Sequence, residues 1–92
     1  MLQDRKAYET RLDEQLAKWK ADLDVLKAKA ARAEVGAKAG YDRTLEALDK
    51  KYTEAGHHLR ELRGATDDAW ESLKDHTEKA WEEIKAAFSK GL

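Results

Sequence analysis

Residues 12–37 read LDEQLAKWKADLDVLKAKAARAEVGA, and their apolar positions recur at alternating steps of four and three residues. This spacing is the heptad pattern of a helix that packs along one face against other helices. The pattern continues over residues 41–62, and the 92-residue sequence contains no proline to interrupt it. The sequence therefore predicts an all-α protein with a long helix over about residues 4–63.

Two glycines, Gly36 and Gly40, lie in the middle of this predicted helix. Each costs about 1 kcal/mol relative to alanine inside a helix. No Ser, Thr, Asn or Asp directly precedes Tyr41 to cap a new helix there. Residues 36–40 can therefore be a kink or hinge, a turn into a second helix, or a small-residue patch for close helix approach, and the periodicity favours a continuous helix.

A second boundary is predicted at residues 64–66. Gly64 can end the long helix in the left-handed conformation, and Thr66 can cap the next helix. Asp67 then places negative charge at the positive end of that helix. The predicted second helix covers about residues 67–89, where DDAWESLK is echoed eleven residues later by EKAWEEIK.

The apolar positions of both helices define a seam through which we expect the chain to pack and associate. The seam comprises Leu12, Leu16, Trp19, Leu23, Leu26, Tyr41, Leu45, Leu48, Tyr52, Leu59, Leu62, Trp70, Leu73, Trp81, Ile84 and Phe88. A second helix of about 35 Å can cover only part of a first helix of about 90 Å. The stripe from residue 8 to about 37 then needs a second copy of the chain. We predict one helical domain over residues 1–92, a coiled-coil bundle completed by an antiparallel homodimer; a monomeric three-helix bundle with a turn at 36–40 is the alternative.

Metal-binding chemistry has one candidate in the sequence. Its residues are Glu54, His57, His58 and Glu61, in which each Glu/His pair is one helical turn apart. Adjacent histidines diverge by about 100° on a helix, so each pair supplies only two of the three or four ligands that zinc prefers. Solvated histidines are the favoured interpretation, and a metal site bridged between copies is the alternative.

Catalytic residue types also occur close together, in Ser72, Asp75 and His76. A helix supplies neither the strained nucleophile turn nor the oxyanion hole that a hydrolase triad needs. We expect no enzymatic activity and no cofactor.

Composition narrows the remaining function classes. The net charge is −1 without a basic patch, which argues against nucleic acid as a partner. There is no cysteine and no apolar run of roughly 18–20 residues, so a cytoplasmic protein is expected. Amphipathic helices can also lie on a lipid surface, but residues 66–92 carry seven acidic against four basic residues, a net charge of −3 that disfavours this role.

The segments DRKAYETRLDEQLAKWKADLDVLKAKA and ATDDAWESLKDHTEKAWEEIKAAF resemble a family of small bacterial coiled-coil proteins, the cyanobacterial-type stress-response proteins. The resemblance covers nearly the whole chain, and its most specific part is the repeat that contains Trp70 and Trp81. It implies an all-helical cytoplasmic protein associated with stress, without catalytic residues. Gly36 and Gly40 depart from the Ala/Lys/Glu-rich middle of that family.

The functional prediction is a non-enzymatic coiled-coil scaffold or adaptor associated with stress, whose partner is itself or another protein. A peripheral protein of lipid surfaces and a metal-binding module around His57 and His58 are the alternatives.

Overall fold

The computed structural model describes residues 2–91, and it is a bundle of three helices. Helix α1 spans Leu2–Arg32, α2 spans Val35–Gly64 and α3 spans Asp67–Gly91. Short connections make consecutive helices antiparallel, so the chain runs up, down and up along a rod of 52 × 18 × 17 Å. The prediction of an all-α helical bundle is confirmed.

The first connection lies at Ala33 and Glu34, so the prediction of one helix over 4–63 is wrong. Glu34 has extended backbone angles (φ −67°, ψ 157°) and makes no side-chain capping hydrogen bond. Its carbonyl accepts hydrogen bonds from the amides of Ala37 and Lys38, both at 2.9 Å. The turn is explained by burial, because a straight helix of about 90 Å would leave most of its apolar stripe in water.

The predicted kink or turn at 36–40 is also misplaced. Gly36 and Gly40 both lie inside the first turns of α2. The architecture is that of the three-helix alternative, with its first turn a few residues earlier. The premise of the predicted dimer is therefore wrong as well, since α2 and α3 supply the partners that the stripe of α1 needs.

The second connection lies at the predicted turn at 64–66. The predicted role of Thr66 is confirmed there, but the predicted role of Gly64 is not. The Oγ1 atom of Thr66 accepts a hydrogen bond from the amide of Ala69 at 3.3 Å, which confirms the predicted cap. No glycine within residues 2–91 has a positive φ, so Gly64 does not end α2 in the left-handed conformation. Ala65 follows it with φ −75° and ψ 147°.

The guanidinium of Arg5 on α1 caps the C-terminal end of α2. Its Nη2 atom donates to the carbonyl oxygens of Leu62 at 3.2 Å, Arg63 at 3.2 Å and Ala65 at 2.7 Å. Its Nη1 atom donates to a carboxylate oxygen of Asp67 at 2.9 Å. The last carbonyls of a helix have no partner within the helix, and here a neighbouring helix supplies it. We call this arrangement the Arg5 clamp.

A carboxylate on α1 extends the clamp into the core. One oxygen of Glu9 accepts hydrogen bonds from Nε of Arg5 and from the indole nitrogen of Trp70, each at 3.0 Å. The clamp thus satisfies the polar atom of a buried tryptophan and ties α1, α2 and α3 together.

The seam predicted from the sequence forms most of the core. Its buried members are Leu12, Trp19, Leu23, Leu26, Leu48, Leu59, Leu62, Trp70, Trp81, Ile84 and Phe88, and its partly buried members are Leu16, Leu45, Tyr52 and Leu73. Helices α1 and α3 approach each other less closely than either approaches α2. Aromatic rings fill the wider gap, because Trp19 packs on Phe88 at 5.0 Å and on Trp81 at 5.2 Å between ring centres. The three tryptophans are at most 9% exposed, so they are core residues and not interfacial anchors.

Candidate functional site

An open groove runs between α1 and α3. Its central part has a volume of about 570 Å³ and is floored by Tyr8, Leu12 and Trp81. A second depression continues the groove past Tyr8 to Trp70. The groove exists because the aromatic side chains of the core hold these two helices apart, and we call it the α1–α3 groove.

Charged side chains of both signs line the rim of the α1–α3 groove. The cations are Arg11, Lys79 and Lys85, and the anions are Glu78 and Glu82. Grooves with an apolar floor and a polar rim are typical binding sites for amphipathic helices. This surface could not be predicted from the sequence, because it depends on the distance between two helices that are far apart in the chain.

Tyr8 lies at the centre of the groove and links its two parts. Its ring meets Trp70 edge to face, with 5.7 Å between ring centres. The Nζ atom of Lys74 lies 5.2 Å from the centre of the Tyr8 ring, within the range of a cation–π contact. Partial burial raises the pKa of Tyr8 to about 12, and the negative charge of Glu78 adds to this effect. The phenol therefore stays neutral near pH 7, where it donates toward the Glu78 side chain. Tyr8 stands four residues before Leu12, at the start of the apolar stripe over residues 8–37, although strict alternation of the heptad steps would place Glu9 there.

The N-terminal part of α2 departs from the predicted seam. Tyr41 is 36% exposed, and Val25 and Val35 nearby are 53% and 93% exposed. These residues lie where α1 turns into α2, at one end of the bundle. We call residues 25–43 the hairpin tip; it carries apolar side chains that the described part of the chain leaves uncovered.

The predicted metal ligands do not converge. All four lie on α2: Glu54, His57, His58 and Glu61. Within residues 2–91 no three or more histidine, aspartate or glutamate side chains are placed to hold one metal ion. His57 is exposed. His58 instead faces His76 of α3, with ring centres 5.6 Å apart, a pairing that spacing along a single helix could not reveal.

The residue types of a hydrolase triad are not organised as a triad. Ser72, Asp75 and His76 all lie on α3. The described side chains show no hydrogen bond among these three residues, whereas a Ser–His–Asp mechanism depends on such a chain.

Comparisons with models of protein families, with curated proteins and with solved structures find no match for this chain. The resemblance to stress-response proteins therefore remains a prediction from the quoted segments. None of the helices within residues 2–91 combines the length and the hydrophobicity that crossing a membrane requires.

Proposed function

We propose that this protein is a non-enzymatic helical interaction module, a scaffold or adaptor that associates with a second copy of itself through the α1–α3 groove. The observation that carries the proposal is the combination of an aromatic floor with a rim of both charges. Leu12 and Trp81 of the floor are at most 9% exposed, so the half-buried Tyr8 offers most of the apolar area that an occupant would cover. Aromatic residues dominate the energetics of interfaces.

The charges of the rim favour a second copy as the occupant. In a two-fold symmetric dimer the same patch lies on both subunits. A rim of one sign would repel itself, whereas Arg11, Lys79 and Lys85 of one copy can face Glu78 and Glu82 of the other. The rims of two copies can therefore be electrostatically complementary.

The size of the groove predicts weak association. From Trp70 to Lys85 it extends along α3 for about 22 Å at 1.5 Å per residue. With a width of about 10 Å, the diameter of one helix, the groove offers about 220 Å², far less than the roughly 800 Å² per partner of a standard stable interface. We expect a dimer that forms only at high protein concentration.

Sedimentation equilibrium from about 10 µM to about 1 mM tests this proposal. The average mass should rise above the 10.5 kDa of the monomer. The double variant Lys79→Glu/Lys85→Glu makes the groove rim acidic and should remain monomeric. The control Lys38→Glu/Lys50→Glu makes the same change of charge on exposed sites of α2 and should dimerise like the wild type. A wild-type mass that stays at 10.5 kDa up to 1 mM would refute self-association, and equal losses in both double variants would remove the groove as its site.

A second candidate function is contact with a lipid surface at the hairpin tip. Val35 is almost fully exposed there, and the basic residues Lys29, Arg32 and Lys38 lie close to it in the sequence. Apolar side chains among cations favour anionic membranes. Flotation with vesicles that contain anionic lipid tests this function: the wild type should float and Val35→Asp should not. Failure of the wild type to float would eliminate this candidate.

Cytoplasmic location and a role in stress complete the proposal. The absence of cysteine supports the first, and the resemblance of residues 4–30 and 65–88 to stress-response proteins supports the second. Chemical crosslinking in the native host, with and without stress, tests the role in stress, since the crosslinked dimer should increase under stress. Fractionation of the host cells tests the location, since the protein should appear in the cytoplasmic fraction.

A further inference from the structure

Helices α2 and α3 bring together two imidazole rings that are eighteen positions apart in the sequence. The ring centres of His58 and His76 are 5.6 Å apart, and their planes meet at 64°. His58 is half-buried and His76 is exposed. The pair therefore lies at the solvent edge of the α2–α3 interface, where an ion can reach it.

The separation of the two rings suits a shared metal ion. With metal–nitrogen bonds of about 2.0–2.1 Å, the ion lies about 3.2 Å from the centre of each ring, and tetrahedral ligands then place the two ring centres about 5.2 Å apart. The observed separation differs from this value by only a few tenths of an ångström. Binding requires rotation of the exposed His76 side chain, both to close the difference and to turn a ring nitrogen toward the ion.

We propose that His58 and His76 form a binding site for a divalent transition-metal ion that bridges α2 and α3. Imidazole suits Zn²⁺, Cu²⁺ and Ni²⁺. The two histidines supply two ligands, and water fills the remaining positions. His57 does not belong to this site, because adjacent side chains on a helix diverge by about 100°.

This site differs from the sequence-predicted one in the helices that it joins. A Glu/His pair within α2 could bind a metal even if α2 were separated from α3. The His58/His76 pair exists only where α2 and α3 are packed together. An ion that binds only the folded state stabilises it, so metal binding here must raise the unfolding temperature.

Titration of Zn²⁺ and of Ni²⁺ into the full chain tests the proposal, with thermal unfolding and calorimetry as readouts. The ion should raise the unfolding temperature of the wild type and of the control His57→Gln, with one ion bound per chain. His58→Gln and His76→Gln should each lose this increase. Loss of even an outer-shell partner weakens metal binding by about 10–100-fold, so loss of one of two direct ligands should weaken it by at least about tenfold.

Each variant is compared with itself before and after addition of the ion, so a change in its intrinsic stability does not affect the result. The proposal would be overturned by absence of stabilisation in the wild type, by equal stabilisation in His76→Gln, or by loss of stabilisation in His57→Gln. The α2–α3 interface lies apart from the α1–α3 groove, so the outcome is independent of self-association. Repetition with Lys79→Glu/Lys85→Glu, which should bind the ion normally, checks this independence.

Discussion

Replacement of Arg5 with lysine should lower the free energy of unfolding by about 2–3 kcal/mol, although it preserves the positive charge. The guanidinium reaches three carbonyl oxygens and two carboxylates at the same time. A lysine ammonium has three donors on a flexible stem and cannot reproduce this fork. Hydrogen bonds to charged groups contribute about 1.5–3 kcal/mol each. The Arg5 side chain is 16% exposed, so water can form some of the hydrogen bonds that the lysine cannot. The expected net loss of stability is therefore close to the contribution of one hydrogen bond to a charged group.

Urea unfolding followed by tryptophan fluorescence measures this change. The urea concentration at the midpoint of unfolding should fall. The slope of the free energy of unfolding against urea concentration should stay constant, because the fold and its buried area persist. Arg11→Lys is the matched control, since it makes the same substitution on the same helix at an exposed site, and its effect should stay within about 0.5 kcal/mol. A loss below about 0.5 kcal/mol for Arg5→Lys would refute the idea that the Arg5 clamp holds the end of α2.

Three further predictions concern the core, the glycines and the groove. Trp81→Ala should lower the free energy of unfolding by about 3–5 kcal/mol, and Glu82→Ala by no more than about 0.5 kcal/mol; similar losses in urea unfolding would contradict the burial of Trp81. The double variant Gly36→Ala/Gly40→Ala should gain up to about 1 kcal/mol per site, since neither glycine has a positive φ and an added β-carbon meets nothing within 4 Å; a lower melting temperature would contradict it. Tyr8 has a pKa raised to about 12 in the folded state, so above pH 10 the unfolded chain loses a proton that the folded chain keeps. The wild type should therefore lose stability relative to Tyr8→Phe between pH 10 and 12, and parallel curves in urea unfolding would refute this.

The two turns show what local sequence can and cannot predict. The turn before α3 has a local signal, because Thr66 is a good capping residue and its hydroxyl does cap α3. The turn at Ala33 and Glu34 has none, since both residues are good helix formers. It forms because the two stripes on either side bury each other, which is a property of the whole chain. Gly36 and Gly40 are the stronger local signal and lie inside a helix.

Contacts between helices could not be predicted from spacing along one helix. Arg5 caps α2 from α1, and His76 meets His58 across the α2–α3 interface. Both pairings depend on how far one helix is shifted along another, and that shift is set by the packing of large side chains such as Trp19. The seam was predictable because its members share one face of each helix.

The connection at 33–34 also changes the physical basis of self-association. In a continuous helix the stripe over residues 8–37 would be exposed, and a dimer would be needed for folding. In the three-helix bundle Leu12, Trp19, Leu23 and Leu26 are already buried within one chain. The association proposed at the α1–α3 groove would then join chains that are already folded, so folding should not depend on protein concentration. A melting temperature that rises with concentration in the micromolar range would instead indicate that folding and association are coupled.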